Sequence, residues 1–340
     1  LTLNTIVLPS EVEDALELAR QAYRCGVDAF IVQDIGIALE LRRIMPNCEV
    51  HVSTQMNTHT EDGVRAAAAL GASRVTLARE LSFEEIARLS ALAQELGMEI
   101  EVFAHGALCI CYSGQCFMSS MVGGRSANRG RCAQACRLPY TLHNIALRKT
   151  LDAPGEHLLS PKDLCTIDVL PELIKAGATS LKIEGRMKSA YYAAVTANAY
   201  RMAMDSYRKD PAGYRYDPLW GRELCSVSHR DYCTGYFLEA PDHNAQLTEK
   251  TGYIREKAYL AVATGYDAET GRARFIQRNK VTAGMPVELL SPGRCGVPFV
   301  ARDLCDEEGK TVDCAPHPFM KFSMSVPFPV HPGDILRGGE

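Results

Sequence analysis

Glu99-Ile100-Glu101-Val102-Phe103-Ala104-His105 alternates along its whole length. In an extended chain, successive side chains point to opposite faces. Ile100, Val102 and Ala104 therefore share one face, and Glu101, Phe103 and His105 share the other. Ser180-Leu181-Lys182-Ile183-Glu184 repeats the pattern, setting Leu181 and Ile183 against Lys182 and Glu184. In Glu49–Gln55, Val50 and Val52 oppose His51, Ser53 and Gln55. Strands of an open, doubly wound sheet are apolar on both faces. One apolar and one polar face predict instead a TIM-like (β/α) barrel, packed on helices outside and polar within.

Further strands are expected at Leu1–Val7, Ala29–Gln33 and Arg74–Ala78. Amphipathic helices are expected between them at Glu11–Cys25, Gly36–Ile44, Glu61–Leu70, Phe83–Leu96 and Ile167–Ala176. Gly26, Gly71 and Gly177 sit where left-handed helix caps are needed. Strand–helix alternation with short links argues for a parallel α/β domain. Six strands are visible, whereas a barrel needs about eight. The chain starts on Leu1, already inside a strand, so the expectation is a barrel truncated at its N-terminus.

The 340 residues suggest two domains. The barrel domain is expected over 1–210, with a cysteine-rich loop at 106–157. A long helix is expected at Met187–Asp210 and a connecting segment at 211–247. Short strands separated by turn signals then predict a small, β-barrel-like all-β domain over 248–340, with strands at Tyr253–Arg255, Tyr259–Gly265, Arg272–Gln277, Pro286–Leu290 and Phe322–Val326.

Composition excludes several classes. With 46% hydrophobic and 23% charged residues, the chain is neither disordered nor a coiled coil. No apolar run is long enough for a membrane helix, so a soluble, cytoplasmic protein is expected. Thirty-seven basic against 41 acidic residues give a net charge of −4, which excludes a uniformly basic coat but not a local patch.

Thirteen cysteines in a large chain point to metal rather than to a disulfide scaffold. Cys109, Cys111, Cys116, Cys132 and Cys136 lie in the loop, and Cys165 follows in Ser160-Pro-Lys-Asp-Leu-Cys165. From Cys109, the spacing to Cys116, Cys132 and Cys136 is wider than in zinc knuckles and suits a cluster held by a wrapping loop. Zinc remains the alternative, as do thiols that merely pack. Cys25, Cys48, Cys225, Cys233, Cys295, Cys305 and Cys314 are read as packing residues. Arg125, Arg129, Arg131 and Arg137 in the same loop suit carboxylate or phosphate recognition.

Glu101-Val-Phe-Ala-His-Gly106-Ala-Leu-Cys109 followed by Ser113-Gly-Gln-Cys116-Phe-Met-Ser119 resembles the signature of peptidase family U32, the collagenase-like proteases. Gly124–Tyr140, Ser160–Leu164 and Ser180–Arg186 share the likeness, which runs through most of the chain. The resemblance implies a TIM-like barrel followed by a small β domain. It implies either collagen-degrading activity or hydroxylation without molecular oxygen. The latter includes prephenate-dependent 5-hydroxylation of the tRNA wobble uridine. It also implies a [4Fe–4S] cluster on four cysteines. Cys109, Cys116 and Cys132 match best, and Cys165 is preferred as the fourth over Cys136.

The leading expectation is iron–sulfur-dependent RNA hydroxylation with prephenate as co-substrate. The alternatives are a U32 peptidase and a non-catalytic assembly factor for RNA modification. Neither a His-Glu-x-x-His motif nor a Gly-x-Ser-x-Gly elbow is present to favour proteolysis. Glu101, His105, Lys182 and Glu184 are the catalytic candidates, although Lys182 and Glu184 also fit an internal salt-bridge network. Gln55, Arg129, Arg131, Arg137 and Arg186 are the substrate-binding candidates. The expected partners are RNA, tRNA above all, or a peptide, together with a homo- or hetero-dimer of related U32 chains and no membrane.

Overall fold

The structure is a computed structural model that describes residues 1–153, 155–241, 245–247 and 253–339. Two compact units emerge, each discontinuous in sequence: Leu1–Glu184 with Asp231–Gly252, and Gly185–Arg230 with Tyr253–Glu340. The long helix expected at the end of the first domain therefore groups with the C-terminal region, a division that differs from 1–210, 211–247 and 248–340.

The first unit is a parallel α/β sheet. Its elements run β1 (Thr2–Leu3), α1 (Val12–Arg24), β2 (Ala29–Val32), α2 (Ile35–Ile44), β3 (Glu49–Val52), α3 (Glu61–Ala69), β4 (Arg74–Thr76), α4 (Phe83–Glu95) and β5 (Glu99–Ala107). After the loop helix α5 (Met118–Gly123) and the hairpin β6 (His143–Asn144) and β7 (Lys149–Thr150) come β8 (Asp163–Cys165), α6 (Leu170–Lys175), β9 (Ser180–Ile183) and later β10 (Tyr232–Cys233). Helix starts carry their chemistry locally. Asp34 caps α2 by accepting from Ile37 N at 2.9 Å, and Ser82 with Glu85 forms a capping box on α4.

The strand order is β1-β2-β3-β4-β5-β8-β10, with β9 also paired to β5. Neighbours are parallel except β5 with β8. The nine-residue β5 forks: Glu101–His105 pairs with β9, and His105–Ala107 pairs with β8. At the fork Gly106 has φ +113°, and a Cβ there would collide with the Glu184 carbonyl, so glycine is required.

Both faces of the central strands are covered: His51, Glu101, Phe103 and His105 are buried as well as the apolar residues between them. Phe30, Val32, Val50, Val52, Val75, Ile100, Val102 and Ala104 are buried. Several pack with Leu16, Ile37 and Leu41 of the flanking helices, each such side chain contributing about 1.5–3 kcal/mol. Among the described residues, β1 and β10 are the sheet's two ends and do not pair with each other. The fold is thus a mixed α/β sheet, and closure into a barrel is not seen.

The second unit contains α7 (Ala190–Lys209), α8 (Pro218–Cys225) and an all-β domain. Its main sheet has the antiparallel order β15-β14-β19-β11-β12-β18-β16. The strands are β11 (Ala258–Asp267), β12 (Arg272–Gln277), β14 (Pro286–Leu290), β15 (Val297–Val300), β16 (Arg302–Asp306), β18 (Lys321–Ser325) and β19 (Ile335–Gly338). A smaller pair joins β13 (Val281–Thr282) to β17 (Cys314–Ala315). Phe275 and Phe322 stack at 5.5 Å in the core. Tyr253–Arg255 is not a strand: only a single bridge joins Ile254 to His229.

Candidate functional site

Register alone assembles the centre of the polar face. Thr76 on β4 lies opposite Glu101, and Glu101 lies opposite Ser180 on β9. Glu101 consequently accepts from Thr76 Oγ1, Ser180 Oγ and Lys182 Nζ, each at 2.8 Å. Burial by itself pushes the Glu101 carboxyl up. The Lys182 charge and the three hydrogen bonds outweigh that and hold it below the usual carboxylate range. Glu101 is a fixed carboxylate, and the Nζ of its partner Lys182 also lies 5.5 Å from the Phe103 ring centroid.

A register shift between Phe103 and His105 breaks the expected alternation, so that His105 lies opposite Ile183 rather than in line with Glu101 and Lys182; it is 1% exposed, its ring 5.2 Å from that of Tyr232. Three residues lie between it and Glu101, four steps or about 13 Å of rise, with Phe103 midway. The carboxylate is held by other partners, so a Glu101–His105 acid–base pair is not formed. Glu184 donates its backbone N–H to the His105 carbonyl at 2.8 Å.

The cysteine loop begins where this face ends, and the segment after β4 anchors it. Arg79 donates to the Ala107 carbonyl at 3.0 Å and to the Cys109 sulfur at 3.3 Å, and its guanidinium lies 4.9 Å from the Phe103 ring centroid. Glu80 Oε1 accepts from Ser113 N at 3.0 Å and Ser113 Oγ at 3.3 Å. Gly114, at φ +74°, lies flat against the backbone of Gln55, where any Cβ would collide. Gln55 thus meets the loop through its main chain.

The loop gathers five thiols. Burial pushes the Cys111 thiol up to about 11, aided by its hydrogen bond with Cys116 and by the charges of Cys116, Cys109 and Cys136. Burial also raises Cys136; Arg137 opposes this, while Cys109, Cys132 and Cys116 add to it. Mutual effects of this kind require close neighbours. The Cys132 sulfur accepts from Gln134 N at 3.4 Å and from Ser119 Oγ at 3.8 Å. Cys165 lies on β8, buried across from His105. Cys136 lies within electrostatic reach of Cys109, Cys116 and Cys132, and Cys165 on β8 follows the loop. Among the described residues, no three His, Cys, Asp or Glu side chains stand close enough to hold one metal ion as they are. The donor chemistry nevertheless fits a thiolate-bound cluster: soft sulfurs are collected on a glycine-rich loop beside a cation.

The candidate arginines divide. Arg129 makes a two-pronged pair with Glu11 at 2.6 and 2.9 Å and bonds the Ile6 carbonyl. Arg137 donates to Ser160 Oγ at 3.2 Å, to the Leu108 carbonyl at 2.8 Å and to the Pro161 carbonyl. Both shape the loop. Arg131 is exposed. Arg186 falls in the second unit. Arg79 and Glu80 were missed by the sequence reading. Their signal was position, since loops after barrel-type strands carry sites at the carboxyl end.

Residues 1–247 match the family model for peptidase family U32, and residues 255–337 match that for the U32 C-terminal domain. The chain belongs to peptidase family U32. A tRNA hydroxylation protein of Bacillus subtilis is 35% identical over 335 residues, covering 97% of this U32 chain and 78% of that one. A 23S rRNA 5-hydroxycytidine synthase of Escherichia coli is 45% identical over 205 residues, covering 60% of this chain and 30% of that protein. A collagenase of Porphyromonas gingivalis is 29% identical over 301 residues, covering 86% and 72%. No helix among the described residues is long and apolar enough to cross a membrane.

Proposed function

We propose that this U32 chain takes part in oxygen-independent hydroxylation of RNA, of the tRNA wobble-uridine type, with prephenate as co-substrate and an iron–sulfur cluster on the loop thiols. The observation that carries this reading is the gathering of Cys109, Cys111, Cys116, Cys132 and Cys136 at the end of the strand that bears Glu101 and His105. A nucleophilic peptidase needs one thiol and a base beside it, whereas a cluster needs about four thiolates. The relatives named for tRNA and rRNA hydroxylation support the same reading.

Cys109, Cys116 and Cys132 would hold the cluster, with Cys165 as the fourth ligand and Cys136 as the alternative. When bound, it would supply one-electron chemistry. Arg79 would steady the loop and donate a charged N–H to one sulfur. Lys182, ion-paired with Glu101, would offer its remaining N–H bonds to an anionic co-substrate carboxylate. The parallel sheet is read as part of a TIM-like barrel that opens at the loop.

The test is nucleoside mass spectrometry of unmodified tRNA after incubation with the anaerobically purified, reduced chain and prephenate. A gain of one oxygen on a uridine, absent without prephenate, supports the proposal. Cleavage of gelatin by the same preparation, with no RNA product, overturns it in favour of the peptidase.

A further inference from the structure

Residues 102–151 contain six arginines and lysines (Arg125, Arg129, Arg131, Arg137, Arg148 and Lys149) and no aspartate or glutamate. The whole chain carries −4, so this stretch is a strongly basic island in an otherwise acidic protein. Arg129 and Arg137 are tied down as described. Arg125 and Arg131 are exposed, and their guanidinium groups pair with no described residue. Arg148 and Lys149 are exposed on the nearby hairpin.

The same stretch exposes two aromatic rings. Tyr112 is 66% exposed and Phe117 65%, either side of Cys116. Rings this exposed leave their burial energy unused in the free chain, where a bound base can recover it. Helix α5, which starts after Phe117, packs on the turns Ala127–Arg129 and Ala135–Arg137. Phe117, Arg125 and Arg131 are thereby collected on one lobe that carries the thiols.

We infer that this lobe binds unpaired RNA, bases stacking on Tyr112 and Phe117 while Arg125 and Arg131 pair with phosphates. The inference rests on the RNA reading above and deepens it. Duplex RNA offers no unstacked base faces, whereas single-stranded loops offer both rings and phosphates. A protein partner would suit the apolar surface equally but not the charge balance: the stretch itself holds no acidic residue, and of the carboxylates packed on it Glu11 is paired with Arg129 and Glu80 bonds Ser113, which leaves Arg125 and Arg131 for a polyanion.

The experiment is fluorescence anisotropy with the full chain and a labelled single-stranded oligouridylate of about 12 nucleotides. The native chain should bind the oligomer more tightly than a duplex of equal length, with affinity falling as salt rises. Tyr112→Ala/Phe117→Ala should weaken binding roughly tenfold per ring. Arg125→Gln/Arg131→Gln should lower the slope of log affinity against log salt by about 1.4. All four positions are exposed, so circular dichroism should be unchanged. If the native chain binds neither probe, both the inference and the RNA reading fall. If it binds and the variants bind equally well, the inference alone falls. If RNA binding is unchanged but the aromatic variant abolishes self-association seen in sedimentation, the lobe is an interface between copies and the inference is wrong.

Discussion

The polar face of the parallel sheet and the cysteine loop adjoin at His105–Cys109, yet they solve opposite problems. On the sheet the charges are complete. Both oxygens of Glu101 have donors, and Lys182 faces its counter-ion and a ring. On the loop the reactive groups are crowded and incompletely served. Cys111 and Cys136 are pushed away from ionisation by burial first and by neighbouring loop thiols after it. A finished ion network supports a site. A cluster of thiols that disfavour one another's thiolate forms is stable with protons on it, or with a cation that collects the charge.

The largest effect should come from breaking the finished side. Lys182→Met leaves Glu101 buried without its counter-ion and should cost about 3 kcal/mol in denaturant unfolding. A loss within experimental error would mean that the pair is not a structural support. The folded carboxyl of Glu101 is held low, so its contribution is complete above the ordinary value of 4.5 and is lost as pH falls through the folded value. Wild type should therefore lose stability below pH 4.5 more steeply than Glu101→Gln; parallel curves would contradict the assignment.

The junction comes next. Gly114→Ala forces a left-handed alanine against the Gln55 backbone and should cost about 2 kcal/mol, read as lost hydrogen-exchange protection around residues 53–57 and 109–116. Arg79→Gln removes the bond to Cys109 and the contact with Phe103 and should cost about 1–2 kcal/mol, with the change confined to the loop. A uniform loss across the sheet would place Arg79 with Lys182 instead. Arg131→Gln, on the exposed outer side, should leave stability within about 0.5 kcal/mol.

The same contrast explains what could be read from sequence. Alternation in Glu99–Phe103 and Ser180–Ile183 matches the observed pairing, because the pleat has period two, whereas the register shift that moves His105 opposite Ile183 left no mark in the sequence. β8 and β10, at three and two residues, are too short for any period, and the fork of β5 depends on Gly106 meeting a residue far along the chain. The loop was legible as functional from its cysteines. The duties of its arginines were not: Arg129 pairs with Glu11, 118 positions away, and Arg137 reaches Leu108, 29 away. Spacing showed cysteines on one loop but not which fourth thiol approaches the others.

The central claim is that the loop thiols hold an iron–sulfur cluster. Its most direct test is iron and acid-labile sulfide per chain in protein purified without oxygen, alongside Cys132→Ala. About four of each in wild type, lost in the variant, is the result expected. Zinc without sulfide, or iron fully retained in Cys132→Ala, would contradict it.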